Sequence, residues 1–302
     1  MTLKVGDIGE KSLVKYILSL SCDIVPDDAA ITPVTSTNLI STCDMLIQSR
    51  HFPEDMSFYD MGFKVVTVNV SDIAAMGAEP LGFLLALSVP KTLEFESFKE
   101  ILDGVVEACK HYSISFIGGD LNESSEIIAT GTALGTCNKP LMKNTYNIGD
   151  FVAITGDIGR AAFGFHLKNS KYALKPRARI KEALILKDYA TSATDITDGL
   201  ASELYEMKRD GLGFMIYEDK LNISDEYKRL SQKLNLNYLD LMLYVGEDFE
   251  LVFTISKDDI NKLPIDFMVI GEVTSSNKVE MTLSDKTVIE LKNKGYEHYV
   301  SE

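Results

Sequence analysis

Tyr59-Asp-Met-Gly-Phe-Lys-Val-Val-Thr-Val-Asn-Val-Ser-Asp72-Ile-Ala-Ala-Met76-Gly77 is the stretch on which the fold turns. The β-branched run Val65-Val66-Thr67-Val68 favours a strand by propensity alone. The length of the segment, the small residues Ala74 and Ala75 and the closing Gly77 favour a helix that stops at the glycine. Read as a helix, the segment carries Asn69 and Asp72 on one face. Asp72 then sits in the last turns, where the helix dipole disfavours an anion. An aspartate in that position calls for a compensating cation, so metal liganding competes with simple surface decoration.

Working outward, strands are expected at Leu39–Cys43, Leu81–Val89, Ile114–Ile117 and Ile127–Leu134, with helices over Glu10–Leu20 and Phe95–His111. The polar stretch Asn138–Gly149, with Pro140 inside it, reads as a boundary. Beyond it come strands at Phe151–Thr155, Gly213–Tyr217 and Leu251–Ile255, and helices near Lys181–Tyr189 and Leu200–Lys208. Alternation of the two kinds of segment argues for mixed structure, α/β (α+β), and the boundary would part the chain into 1–138 and 139–302.

Composition narrows the function. The chain has 302 residues and a formal net charge of -15, from 45 acidic and 30 basic side chains. Such a field repels nucleic-acid backbones and anionic membranes, so neither is an expected partner. The greasiest run, Leu81–Val89, is too short to span a bilayer. Cys22, Cys43, Cys109 and Cys137 are scattered, which suggests neither zinc nor a disulfide framework and fits a reducing cytoplasm. No basic segment leads into an apolar run at the N-terminus, so no secretion signal is expected.

Acidic residues recur where strands or helices end: Asp27-Asp28, Asp44, Asp72, Asp120 after Gly118-Gly119, Asp195 and Asp198 in Asp-Ile-Thr-Asp-Gly, and Glu247-Asp248 after Gly246. Each alone is more often a turn residue or helix cap. Together they suit a hard cation such as magnesium, which takes carboxylate oxygens and substrate phosphates. A phosphate-binding G-x-x-x-x-G-K-[ST] loop, a dinucleotide G-x-G-x-x-G and a G-x-S-x-G elbow are all missing. Of the histidines, only His51, near Asp44 and beside Phe52-Pro53, rises above a structural reading.

These motifs, in order, resemble the thiamine-monophosphate kinase family, in the aminoimidazole ribonucleotide synthetase-like superfamily. The resemblance runs over nearly the whole chain: Gly9-Glu10, Asp27-Asp28, Ile40-Ser-Thr-Cys-Asp44, His51-Phe52, Lys64, Asn69-Val-Ser-Asp72-Ile-Ala-Ala-Met-Gly77-Ala-Glu-Pro80, Ile117-Gly-Gly-Asp120, Gly149-Asp150, Thr155-Gly156, Asp195-Ile-Thr-Asp198-Gly199, Gly246-Glu-Asp-Phe-Glu-Leu251 and Gly295-Tyr-Glu-His298. The stretch from Asn69 to Pro80 is the most specific. The resemblance implies ATP as co-substrate, several Mg2+ ions, thiamine monophosphate as acceptor, and a homodimer paired through the N-terminal domain. It implies metal ligands at Asp28, Thr42, Cys43, Asp44, Asp72, Asp120, Asp195 and Asp198. It implies nucleotide contacts at Gly119, Asp120, Lys143 and Thr197, and substrate contacts at His51, Glu247 and Tyr296.

Three positions depart from the family pattern. Pro26 stands where glycine usually precedes the aspartate pair, and restricts the backbone there. Cys43 replaces a hydroxyl residue, and a thiol is a poor magnesium ligand. Lys143 replaces an arginine, trading a planar fork for a point charge. Within the superfamily an aminoimidazole ribonucleotide synthetase-like enzyme would activate an amide oxygen instead, and a non-catalytic nucleotide-binding module is the alternative from another class. Selenophosphate synthetase and the hydrogenase-maturation relatives fit less well, because the expected reactive N-terminal or C-terminal cysteine is missing.

Overall fold

The computed structural model describes residues 28–167, 176–222 and 225–295. The helix expected over Glu10–Leu20 therefore lies outside the described residues, as do Pro26, Tyr296 and His298. A first sheet has the order β1-β2-β5-β3-β4, from β1 (Ala30–Val34), β2 (Thr37–Ile47), β3 (Glu79–Val89), β4 (Ser115–Glu123) and β5 (Ile128–Cys137). Only the β3–β4 pair in it is parallel. A second sheet has the order β12-β11-β8-β10-β6-β9-β7. Its strands are β6 (Phe151–Ile154), β7 (Ala190–Asp195), β8 (Gly213–Tyr217), β9 (Leu251–Ile255), β10 (Met268–Thr274), β11 (Val279–Thr282) and β12 (Val288–Glu290). Helices among the described residues are α1 (Gln48–His51), α2 (Phe58–Ala75), α3 (Phe95–His111), α4 (Arg160–Leu167), α5 (Ile180–Leu186), α6 (Leu200–Met207), α7 (Asp225–Leu234) and α8 (Tyr238–Tyr244). None of them is long and apolar enough to cross a membrane.

The segment Tyr59–Met76 does form a helix, as its length and closing glycine predict. The Ser57 hydroxyl accepts the Asp60 N–H at 3.0 Å and caps the start of α2. At the other end the Gly77 N–H donates to Ala74 O at 2.8 Å and the Ala78 N–H to Ile73 O at 3.0 Å. With Gly77 at φ 62°, this is a left-handed helix stop. Burial overrides the strand propensity of the valines: Val65, Val66, Val68 and Val70 are all enclosed.

Helix α2 belongs to both halves of the molecule. Its valines join the first core with Ile40, Phe83 and Ile101. Ala74 and Ala75, at its C-terminal end, pack instead with Leu186, Ala193, Leu251 and Phe253 of the second half. Small side chains there let the second sheet approach the helix closely. Against α3 the approach is closer still. A Cβ on Gly62 would lie 1.9 Å from Ile101 O, and one on Gly104 would lie 1.9 Å from Tyr59 O. Both obstacles are backbone and cannot rotate away. Gly104→Ala should therefore lower stability by about 3 kcal/mol, at the upper end of overpacking effects, in a urea or thermal unfolding measurement.

Candidate active site

Four carboxylates converge beside the C-terminal half of α2. Asp28 precedes β1, Asp44 lies within β2, Asp72 is on α2, and Asp195 ends β7. The pleat of β2 turns Ile40, Thr42, Asp44 and Leu46 to one face, with Ile40 and Leu46 buried in the core. The Thr42 hydroxyl donates to Asp72 Oδ2, and the Asp44 N–H donates to Asn69 Oδ1 at 3.0 Å. Because α2 is packed between the two sheets, the residue before Asp72 reaches the other way: the Ser71 hydroxyl donates to Asp195 Oδ2. Thr194 donates to Asp28 Oδ1 at 3.0 Å, and the Lys143 ammonium lies 2.5 Å from the same oxygen.

Burial and mutual repulsion dominate the electrostatics. Burial raises the pKa of Asp72 well above the usual carboxylate range, and Asp44, Asp195 and Asp28 push it further. Burial, with Asp28 adding to it, lifts Asp195 to about 7 against the relief given by Ser71 and Lys143. Burial likewise raises Asp44 and Asp28, although Lys143 opposes it at Asp28. For Lys143 burial works against the charge, but Asp28, Glu203 and Asp195 outweigh it and hold the ammonium above the ordinary lysine pKa.

Burial similarly raises Asp248 to about 7 and Glu203 to about 8. Raised carboxylate pKa values mean that the folded chain binds more protons than the unfolded chain between the two titrations. Their stabilising contribution is complete below the unfolded values, 3.8 for aspartate and 4.5 for glutamate. It is lost as pH climbs through about 7 to 8. The chelator-treated protein should accordingly unfold at a higher temperature at pH 5.5 than at pH 8, a difference that calorimetry can read.

Two loops complete the site. The turn Gly246–Glu250 lies against Asp195–Gly199: Glu247 N–H donates to Thr197 O at 2.8 Å and Phe249 N–H to Ile196 O at 3.0 Å. A Cβ on Gly246 would lie 1.7 Å from Thr197 O, so only glycine fits. Each acid of the turn is committed. Glu247 takes the Lys64 ammonium on both oxygens, at 2.7 and 2.6 Å. Asp248 accepts the Gly159 and Ala161 N–H groups at the start of α4, at 2.6 and 3.2 Å. Glu250 binds the Arg179 guanidinium and accepts the Thr155 hydroxyl at 2.6 Å. On the other side of the Asp195–Gly199 loop, Glu203 Oε1 accepts the Asp198 N–H at 3.1 Å and the Thr197 hydroxyl at 3.2 Å. Sequence reasoning missed Glu203, Lys64, Arg179 and Glu250 as site organisers. For Glu203 the available signal was its capping position at the start of a helix after Asp198-Gly199; Lys64 and Glu250 fall within the motifs that carry the resemblance, though no role was read from them.

The remaining sequence-predicted residues are distributed as follows. Thr197 and Asp198 sit in the loop that follows Asp195, held by Glu203. Lys143 is in the cluster beside Asp28. Cys43 and Asp120 are on the opposite face of the first sheet: the register places Cys43, Thr132 and Leu84 in one row, and Met45, Thr130, Ala86 and Asp120 in the next. The Cys43 thiol is exposed there, so strand alternation keeps it away from the carboxylates. Gly119 and Asp120 lie on the edge strand β4. His51 accepts the Ile47 N–H on Nδ1 at 2.9 Å, and its carbonyl accepts from Lys64 at 2.7 Å.

The donor set suits a hard cation. Carboxylates and hydroxyls from Asp28, Thr42, Asp44, Asp72 and Asp195 supply oxygen alone, and their mutual repulsion favours positive charge among them. Among the described residues no three acidic, histidine or cysteine side chains stand ready as a metal cage; Asp72 accepts from Thr42, Asp195 from Ser71, and Asp28 from Thr194 and Lys143.

Residues 26–137 match the profile of the AIR synthase related protein N-terminal domain, and residues 154–284 match that of its C-terminal domain. The chain is 36% identical over 282 residues to the thiamine-monophosphate kinase of Pyrococcus horikoshii, spanning 90% of each protein. It is 37% identical to that of Pyrococcus abyssi, covering 90% of this chain and 89% of the relative. Its fold is similar to that of AaThiL complexed with AMPPCP and TMP, with a TM-score of 0.90, 28% identity and 99% of each chain covered.

Proposed function

The chain belongs to the thiamine-monophosphate kinase family, and from that premise we propose that it transfers the γ-phosphoryl group of ATP to thiamine monophosphate, giving ADP and thiamine diphosphate. The observation that carries the reading is the meeting of Asp28, Asp44 and Asp72 with Asp195 across the junction of the two halves. Support for the ligand pair comes from the related structure, which holds AMPPCP and TMP.

The acceptor is itself a phosphate, with a second pKa of about 6, so it reaches pH 7 mostly deprotonated. No general base is needed. The obstacle is the approach of two polyanions, since like unit charges about 4 Å apart repel by roughly 4 kcal/mol at an effective dielectric of 20. Magnesium held by Asp28, Thr42, Asp44, Asp72 and Asp195, with Asp198 as a further ligand, would supply the positive charge that offsets this repulsion, while Asp120, on the other face of the first sheet, stands outside this set. Lys143 pairs with Asp28 and holds it in place beside Thr194. Thr42 and Ser71 fix the carboxylate rotamers of Asp72 and Asp195. Gly119, Asp120, Lys143 and Thr197 are assigned to the nucleotide, and His51, Glu247 and Tyr296 to the thiamine side. Lys64 already neutralises Glu247, so any contact from Glu247 is made as an ion pair.

The same reading includes a homodimer, with 1–138 as the dimerising domain and 139–302 as the domain that completes the site. Strand β4 is exposed along its whole length and carries Phe116, Ile117 and Leu121, which are 41%, 52% and 59% exposed. An apolar free edge of this kind pairs or aggregates unless covered. A partner there would also reach the face that bears Cys43 and Asp120. A cytoplasmic setting is consistent with the use of ATP and with the free thiols of Cys43, Cys109 and Cys137.

The test is product identification after incubating purified protein with ATP, magnesium and a panel of phosphate esters. Thiamine diphosphate should form from thiamine monophosphate in step with ADP. ATP binding without any phosphorylated product, or preference for another ester, would refute the assignment.

A further inference from the structure

Lys64 is almost fully enclosed, yet it is not among the residues assigned to either substrate. Its ammonium is satisfied by both oxygens of Glu247 and by the carbonyl of His51. The partner Glu247 lies 183 residues away in the chain, in the other half of the molecule. It also has a left-handed backbone, φ 66°, and Phe249 two residues on has φ 53°. Non-glycine residues hold such conformations only where their surroundings dictate them, and such sites cluster around function. The surroundings here are three ion-pair or capping contacts within four residues: Glu247 to Lys64 on α2, Asp248 to the start of α4, and Glu250 to Arg179 and Thr155. Backbone bonds then pass this geometry to the neighbouring loop, from Glu247 to Thr197 and from Phe249 to Ile196.

We infer that Lys64 is a positioning residue whose ion pair with Glu247 sets the Asp195–Gly199 loop against the helix that carries Asp72. Lys64 and Asp72 share α2, whereas Asp195, Thr197 and Asp198 share the loop that Glu247 touches. The pair therefore ties the two groups of acids into one register. Lys64 need not touch substrate for its loss to disorganise the reaction.

The test is a double-mutant cycle of Lys64→Met and Glu247→Gln, read by kinetics and by amide exchange. The kinetic arm rests on the kinase reading, while the exchange arm does not. Each single variant should lower kcat by about 20-fold or more, and Lys64→Met should do so with the ATP KM held within about threefold. The double variant should be no worse than the poorer single, because both changes break one contact. Exchange at the Glu247 and Phe249 amides should quicken about tenfold in each variant. Effects that multiply in the double variant would overturn the inference. So would a rise confined to the thiamine monophosphate KM in Lys64→Met with kcat unchanged, or unchanged exchange. If Lys64→Met does not fold, exchange in Glu247→Gln decides the matter alone. If no ester is phosphorylated by the native chain, faster exchange still supports the tie and unchanged exchange still refutes it.

Discussion

Asp72→Asn is expected to lower kcat by about 10³-fold or more while the metal-free protein becomes more stable. A loss of that size corresponds to about 4 kcal/mol of transition-state stabilisation. The side chain is partly buried and faces three other aspartates, so its charge is unfavourable in the bare protein. Asparagine keeps the shape and can still accept the Thr42 hydroxyl, but removes the charge. Stability at pH 7.5 in chelator should rise by about 1–2 kcal/mol, as when other uncompensated buried charges are removed. With the charge goes the oxygen best placed between the two halves of the site, and turnover should fall even at saturating magnesium. A variant both less stable and fully active would place Asp72 in the packing and outside the chemistry.

Lys143→Met should act in the opposite direction. Lys143 is the ammonium that stands against Asp28, and Glu203 and Asp195 also lie within its field. Removing it leaves the cluster with its negative charge intact and a buried partner broken, a change that typically costs about 3–5 kcal/mol. The loss should be greatest above neutral pH and shrink on acidification, since protonating Asp28 and Asp195 removes the charges that Lys143 compensated. Thermal unfolding from pH 5 to pH 8 would show it. Equal destabilisation at both ends of that range would mean that the lysine stem matters and its charge does not.

Much of the framework is legible in the chain because apolar periodicity matches local geometry. Helix Phe95–His111 and strands Gly213–Tyr217 and Leu251–Ile255 have the bounds that pattern reading predicts. Strand β7 escaped notice because Ala190-Thr-Ser-Ala-Thr-Asp195 is small and polar; it is buried under α2 and α5 by tertiary packing. Helix α7 and the strands β10 to β12 were not predicted either. At the site, short motifs flagged Asp28, Asp44, Asp72 and Asp195 as candidates. Their organisers were not legible, because Lys64 finds Glu247 across 183 residues and Arg179 finds Glu250 across 71. A buried lysine or arginine looks like any other in sequence until the fold brings its partner to it. The opposite-face placement of Cys43 and Asp120 follows from strand register, which no motif encodes.

The most direct test follows thiamine diphosphate formation from ATP and thiamine monophosphate across a magnesium titration that begins in chelator. Product formation should be nil without divalent cation and rise to saturation as magnesium is added. Full turnover in chelator would contradict the claim that cations among these aspartates make the reaction possible.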